Sequence, residues 1–190
     1  TRHNSSLPDF KGIGIIFTLF KSVRGICLVC NMLSLAGEQN VWAVGLSMQI
    51  CLNFTDMKIK DVIAVLEGFA PLQYQESYDN AGLLFGDASR EVTNVLLTLD
   101  ATEAVIDEAI AKNCNLVIAH HPIVFGGLKK LTGRNYVERV AIKAIKHDIA
   151  VYAAHTNLDN VRYGVSERMA ARIGLHDCRV LDPRHGILRK

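Results

Sequence analysis

Residues 116–122 read Leu-Val-Ile-Ala-His-His-Pro. Four apolar residues are too short for a helix and suit a strand buried on both faces. Two imidazoles follow, and Pro122 then turns the chain, because proline has no N–H to donate to a sheet ladder. The same grammar occurs upstream and downstream. Val95–Leu99 is an apolar run ending at Asp100, and Ile149–Ala154 is another ending at His155. Between the runs lie two amphipathic stretches. One carries Val105, Ile106, Ala109 and Ile110 on one face behind Thr102 as a cap. The other, Asn135–His147, carries Val137, Val140, Ala141, Ala144 and Ile145. Strand–helix–strand–helix–strand with continuous apolar strands predicts an α/β fold, a mostly parallel sheet covered by helices on both faces with a βαβαβ core.

Nearer the amino terminus, Ile59, Val62, Ile63 and Leu66 recur at i, i+3, i+4 and i+7, which predicts an amphipathic helix ending near Phe69. Ala70-Pro71 stops it. A polar stretch from Gln73 to Asn80 leads to a short strand between Gly82 and Gly86. A last helix is predicted over Gly164–Gly174, closed by a glycine suited to a left-handed cap. There is no internal repeat.

In such sheets, sites form beyond the carboxyl ends of the strands. Here those ends carry Asp100, then His120 and His121, then His155 with Asp159 close behind. Imidazole nitrogen and carboxylate oxygen together suit zinc, iron, manganese or nickel. Adjacent histidines inside a strand point to opposite faces. At a strand end before a proline, both can reach one cleft, an arrangement fitting two ions better than one. His155-Thr-Asn-Leu-Asp159 reads as a loop able to curl its carboxylate toward the pair. His147 is placed to end a helix favourably, while His3, His176 and His185 belong to no constellation.

The remaining chain bounds the reading more than it directs it. Of 190 residues, 49% are hydrophobic and 21% charged, with a net charge of +2, too near balance to point to nucleic acid or a membrane. Lys129, Lys130 and Arg134 form a small basic stripe that reads as a solvated loop or a phosphate contact. Five cysteines at irregular spacing do not make a secreted disulfide framework, so a cytoplasmic location is expected. The Cys27-x-x-Cys30 pair lacks a partner pair at zinc-finger spacing and reads as apolar filler. Residues 1–56 contain apolar blocks without clear period, interrupted by Lys21 and Arg24, with no run near the roughly 20 apolar residues of a membrane span. The chain opens on Thr1. Met57 is expected to lie near the natural start of a domain over 57–190, with 1–56 a leader or extension outside it; a membrane-associating leader is the competing reading.

Taken in order, Glu76-Ser-Tyr-Asp-Asn-Ala-Gly82, Leu99-Asp-Ala-Thr102, Ala119-His-His-Pro-Ile123 and Ala154-His-Thr-Asn-Leu-Asp159 resemble one family. Gly164-Val and Ile173-Gly-Leu fit as well. This is the GTP cyclohydrolase I type 2-like, or Nif-three-like, group of dinuclear-metal proteins, matched from about Met57 to the end. The resemblance implies the amino-terminal half of that fold and two divalent metal ions held by His120, His121 and Asp159. It places His155 and Asp100 beside the site, His155 handling protons and Asp100 supporting. It also implies a homo-oligomeric ring, a hexamer, and a distant carboxyl-terminal His-x-x-x-Glu completing the site. No such pair occurs in these 190 residues, so weak binding of a single ion without turnover is expected of this chain. The function implied is a metal-dependent hydrolase acting on a nucleotide-like or other small-molecule substrate. The alternative is a non-catalytic metal-binding regulator or interaction protein.

Overall fold

The computed structural model describes residues 57–180, together with the backbone of 26–27 and 47–52. The side chains of the first 56 residues, His3, Cys27 and Cys30 among them, and residues 181–190 with His185 lie outside the described residues. The elements in chain order are β1 (Ile26–Cys27), β2 (Ser47–Leu52), α1 (Ile59–Phe69), a 3-10 turn (Leu72–Tyr74), β3 (Gly82–Phe85) and β4 (Val95–Asp100). They continue as α2 (Glu103–Ala111), β5 (Leu116–His121), α3 (Tyr136–Lys146), β6 (Ala150–Ala153), α4 (Thr156–Asp159) and α5 (Val165–Arg172).

β4, β5 and β6 are parallel neighbours, paired Val95 to Leu116 and Leu116 to Ala150 at their starts. This is the predicted βαβαβ core. Its flanks are antiparallel: β3 runs against β6, and β2 runs against β4 with β1 beyond it. The direction of β3 decides where the chain before it lands. Gly82, at its beginning, pairs with Ala153 at the end of β6. The segment entering β3 therefore arrives at the carboxyl ends of the parallel strands.

Side-chain alternation divides the core into two layers, as a pleated sheet covered on both faces requires. Val95, Leu97, Leu116, Ile118 and Tyr152 face Ile59, Val62 and Leu66 of α1, with Leu158 and Val165 joining them. Leu96, Val117, Ala119 and Val151 face Val105, Ile106 and Ala109 of α2 and Val140 and Ala144 of α3. Leu96, Leu97, Leu116 and Ile118 are fully buried. Burying each such side chain contributes about 1.5–3 kcal/mol.

Local signals set the helix ends. The Thr102 hydroxyl accepts from the Val105 N–H at 3.3 Å and the Asn135 side-chain Oδ1 from the Glu138 N–H at 2.9 Å, each satisfying a donor with no partner inside its helix. His147 is the C-cap of α3, and Gly174 closes the last helix at φ 79°. Gly86 has φ 111°, and a Cβ there would lie 2.4 Å from the Cα of Ala150. Only glycine lets β3 lie this close to β6. Two expected boundaries differ. β5 continues through both histidines, and His155-Thr-Asn-Leu-Asp159, expected as a loop, is mostly the helical turn α4.

Among the described residues, both core layers are drawn from between Ile59 and Val165. β2 and β1 extend the sheet beyond β4. We therefore propose Met57 as the start of the self-sufficient unit. Deleting residues 1–56 should leave a single cooperative thermal transition. A broad, non-cooperative melt of the shortened chain would make the first 56 residues part of the fold.

Candidate metal centre

Three histidines meet where β5 and β6 end. The His120 and His121 ring centroids are 4.9 Å apart, and each lies 5.4–5.6 Å from that of His155. One ring nitrogen from each falls within 4.8 Å of the others, which is spacing that a metal ion can bridge. Each ring is also held through its Nδ1. Nδ1 of His120 lies 2.8 Å from the Ala154 carbonyl oxygen. Nδ1 of His121 lies 2.8 Å from Oδ1 of Asp100, and Nδ1 of His155 lies 2.9 Å from Oδ1 of Asp79. A carbonyl or carboxylate oxygen only accepts, so each Nδ1 carries a proton, which makes Nε2 the nitrogen that can offer a lone pair. Histidine ligands are oriented in this way in metal sites.

The sheet register explains the His121 pair, since Asp100 and His121 are directly opposite in the parallel ladder. The His155 pair depends on the antiparallel entry of β3, which carries Asp79 to the same rim. Asp79 is held on all sides. Oδ1 also accepts from the Asn80 N–H at 2.7 Å, and Oδ2 accepts from the Thr156 N–H at 3.0 Å and from the Thr156 hydroxyl. Its side chain is fully buried. Burial pushes its carboxyl up, but the bonds from Thr156, His155 and Asn80 outweigh that and hold it below the ordinary 3.8. Asp79 thus stays ionised and fixes the His155 proton on Nδ1.

The rest of the rim is stitched by polar side chains that no ligand pattern flags. Thr156 Oγ1 accepts from the Glu76 N–H at 2.9 Å. Asn157, wholly buried, accepts from the His155 N–H and donates to the Ala70 carbonyl at 2.7 Å. Asn160 donates to the Tyr74 carbonyl at 2.8 Å. α4 also lies tight on Gly164, where a Cβ would come within 2.1 Å of the Leu158 carbonyl oxygen. Beyond β5, Asn80 Nδ2 donates to the Val124 carbonyl at 2.7 Å. Glu138 holds the far end of that loop, accepting from the Thr132 N–H and hydroxyl, the Arg134 N–H and Asn135. These bonds, led by the Thr132 N–H, lower the Glu138 carboxyl below its ordinary 4.5.

Of the residues singled out in the sequence, His120, His121 and His155 form the cluster, and Asp100 supports His121. His155, expected beside the site in proton handling, stands among the converging rings. Asp159 is not one of the three converging groups, but its charge acts on His120. Burial pushes the His120 ring down despite the Ala154 bond and Asp159, favouring the neutral form a ligand needs. Asp79 is the residue that ligand spacing does not flag, although its motif, Glu76–Gly82, is visible in the sequence. Three imidazoles anchored through Nδ1 fit a borderline divalent ion such as zinc. His121 and Asp100 are about half exposed, so the cluster opens to solvent, as a site with a free coordination position does.

The profile of the family described as Duf34/NIF3 (NGG1p interacting factor 3) matches residues 57–190. The chain belongs to the Duf34/NIF3 family. It is 42% identical over 125 residues to a GTP cyclohydrolase 1 type 2 homolog from Clostridium acetobutylicum, covering 66% of this chain and 47% of that one. A homolog of the same name from Bacillus subtilis is 43% identical, over 66% of this chain and 34% of its own length. The crystal structure of a Bacillus cereus protein related to NIF3 superposes with a TM-score of 0.65 at 37% identity, over 70% of this chain and 36% of the other. The chain thus spans between about a third and a half of these NIF3 relatives.

The hydrogen bonding makes two outcomes testable. Asp79→Ala should weaken zinc binding about 10–100-fold, the usual effect of losing a carboxylate behind a ligating histidine. Competition with a chelating dye measures this; unchanged affinity would mean Asp79 does not position His155. Glu138→Gln should melt lower than the parent above the ordinary glutamate value of 4.5. Because the folded-state pKa is depressed, that advantage should fade as pH falls through the lowered value. A melting-temperature gap that persists in strong acid would contradict the assignment.

Proposed function

We propose that the cluster is the centre of a metal-dependent hydrolase. The observation that carries this is the convergence of three histidines, each fixed through Nδ1, at a rim open to solvent. A divalent ion held there would supply Lewis acidity suited to hydrolysis at neutral pH. His120, His121 and His155 would hold it through Nε2. Asp79 and Asp100 keep those nitrogens aimed by retaining the Nδ1 protons. Asp159, the sequence-derived third ligand, is proposed to complete the set from the end of α4, beside His120.

The names of the relatives support a nucleotide-like substrate, with GTP the first to try, and the resemblance supports two ions rather than one. The homo-oligomeric ring and the cytoplasmic location belong to the same proposal. Among the described residues, no helix is long and apolar enough to cross a membrane. A second reading, a metal-binding interaction protein without turnover, is favoured by the words "interacting factor" in the family description.

Elemental analysis and a GTP ring-opening assay on zinc- or manganese-loaded protein separate these readings. The 190-residue chain should hold one ion without turnover, and His120→Ala, His121→Ala, His155→Ala and Asp159→Ala should each lower its content. His147→Ala should not. A chain extended with the family's His-x-x-x-Glu should hold two ions and turn over. Two ions without hydrolysis would favour the interaction reading, and full metal content in all four variants would remove the site.

A further inference from the structure

Three phenylalanines fall in the fully described region: Phe69, Phe85 and Phe125. Phe69 packs against the α1 layer and Phe85 against the α2–α3 layer. Phe125 packs against neither, and 52% of it is exposed. Its ring is instead set edge-to-face with His155, centroids 5.9 Å apart and planes at 80°. It is not carried on a loose loop. Ile123, two residues earlier, packs into the second core layer, and the Val124 carbonyl is held by Asn80 at 2.7 Å. Asn80 is itself adjacent to Asp79, which anchors His155. One short unit thus fixes both a candidate ligand and an apolar ring beside it.

An exposed phenyl forfeits the burial that its two counterparts obtain. Unlike a polar side chain, it offers a ligand only a flat face and a quadrupole. We propose that Phe125 is a stacking wall of the metal centre, selecting ligands that carry a planar unsaturated heterocycle, a purine or pyrimidine base. This rests on the proposed metal centre and its nucleotide-like substrate, and adds the residue that would recognise the base. The Phe125 face contributes recognition of the ring, while the histidines hold the ion. Phe125 is therefore a specificity residue with no role in proton transfer.

The test uses the zinc-loaded chain and calorimetric titration with guanosine, uridine and ribose, with zinc content measured on every sample. Guanosine, uridine or both should bind more tightly than ribose. Phe125→Leu, which keeps apolar volume but removes the aromatic face, should weaken that binding about 5–100-fold, the range for losing one base–aromatic stack. Its zinc content should be unchanged, and Phe125→Tyr should restore affinity. Equal binding of all three compounds by the parent would overturn the proposal, while intact zinc content would leave the metal reading standing. Undiminished nucleoside binding in Phe125→Leu would also overturn it, as would a change confined to sedimentation, which would assign the ring to contact between copies. Loss of zinc from Phe125→Leu would make the ring a support for His155 rather than a wall. A parent that takes up no zinc would fail at the metal centre itself.

Discussion

The bond between Asp79 and His155 joins two parts of the fold that the βαβαβ core alone would not bring together. Asp79 belongs to the segment entering β3, and His155 follows β6. The two meet because β3 is antiparallel to β6, so the start of one strand lies beside the end of the other. Everything at the rim leans on that meeting. Thr156 closes the second carboxylate oxygen, Asn157 and Asn160 tie α4 back to the 70–74 segment, and Asn80 reaches across to Val124. Had β3 been another parallel strand, this segment would have been delivered to the opposite end of the sheet.

Burial and hydrogen bonding act in opposition at this rim, and their balance prepares the site. Enclosure opposes the charge on Asp79, yet donors from Thr156, His155 and Asn80 keep it ionised. Enclosure also opposes a charge on His120, and there nothing outweighs it, so the ring tends to neutrality. An ionised acceptor behind one histidine and a neutral ring in another are both conditions for metal ligation. The exposed flank, His121 with Asp100, leaves a way in for solvent or substrate.

The parallel core was legible because each strand is a bare apolar run and each helix a periodic one. Thr102, Asn135 and Gly174 mark helix ends with residues whose chemistry is specific to those positions. His120 and His121 could be read because paired imidazoles before a proline are rare company for a buried strand. What sequence spacing could not convey was pairing over long separation. Asp79 lies 76 positions from His155, and its motif carried resemblance without stating which side chain touches which ring. That His155 stands with the histidine pair, and that a four-residue helical turn rather than a loop follows it, also lay beyond what spacing conveys. Phe125 gave no periodic signal at all; its meaning lies in its exposure next to an imidazole.

The metal centre stands or falls on whether His120, His121 and His155 each keep the proton on Nδ1 and present Nε2 to a common ion. Long-range proton–nitrogen NMR of the ¹⁵N-histidine-labelled protein, recorded without zinc and during its addition, reads this directly. The Nδ1–H tautomer is expected for all three rings in neutral solution, with zinc moving their Nε2 resonances together and leaving His147 and His176 in place. Nε2–H tautomers at these positions, or zinc shifts falling on other histidines, would contradict it.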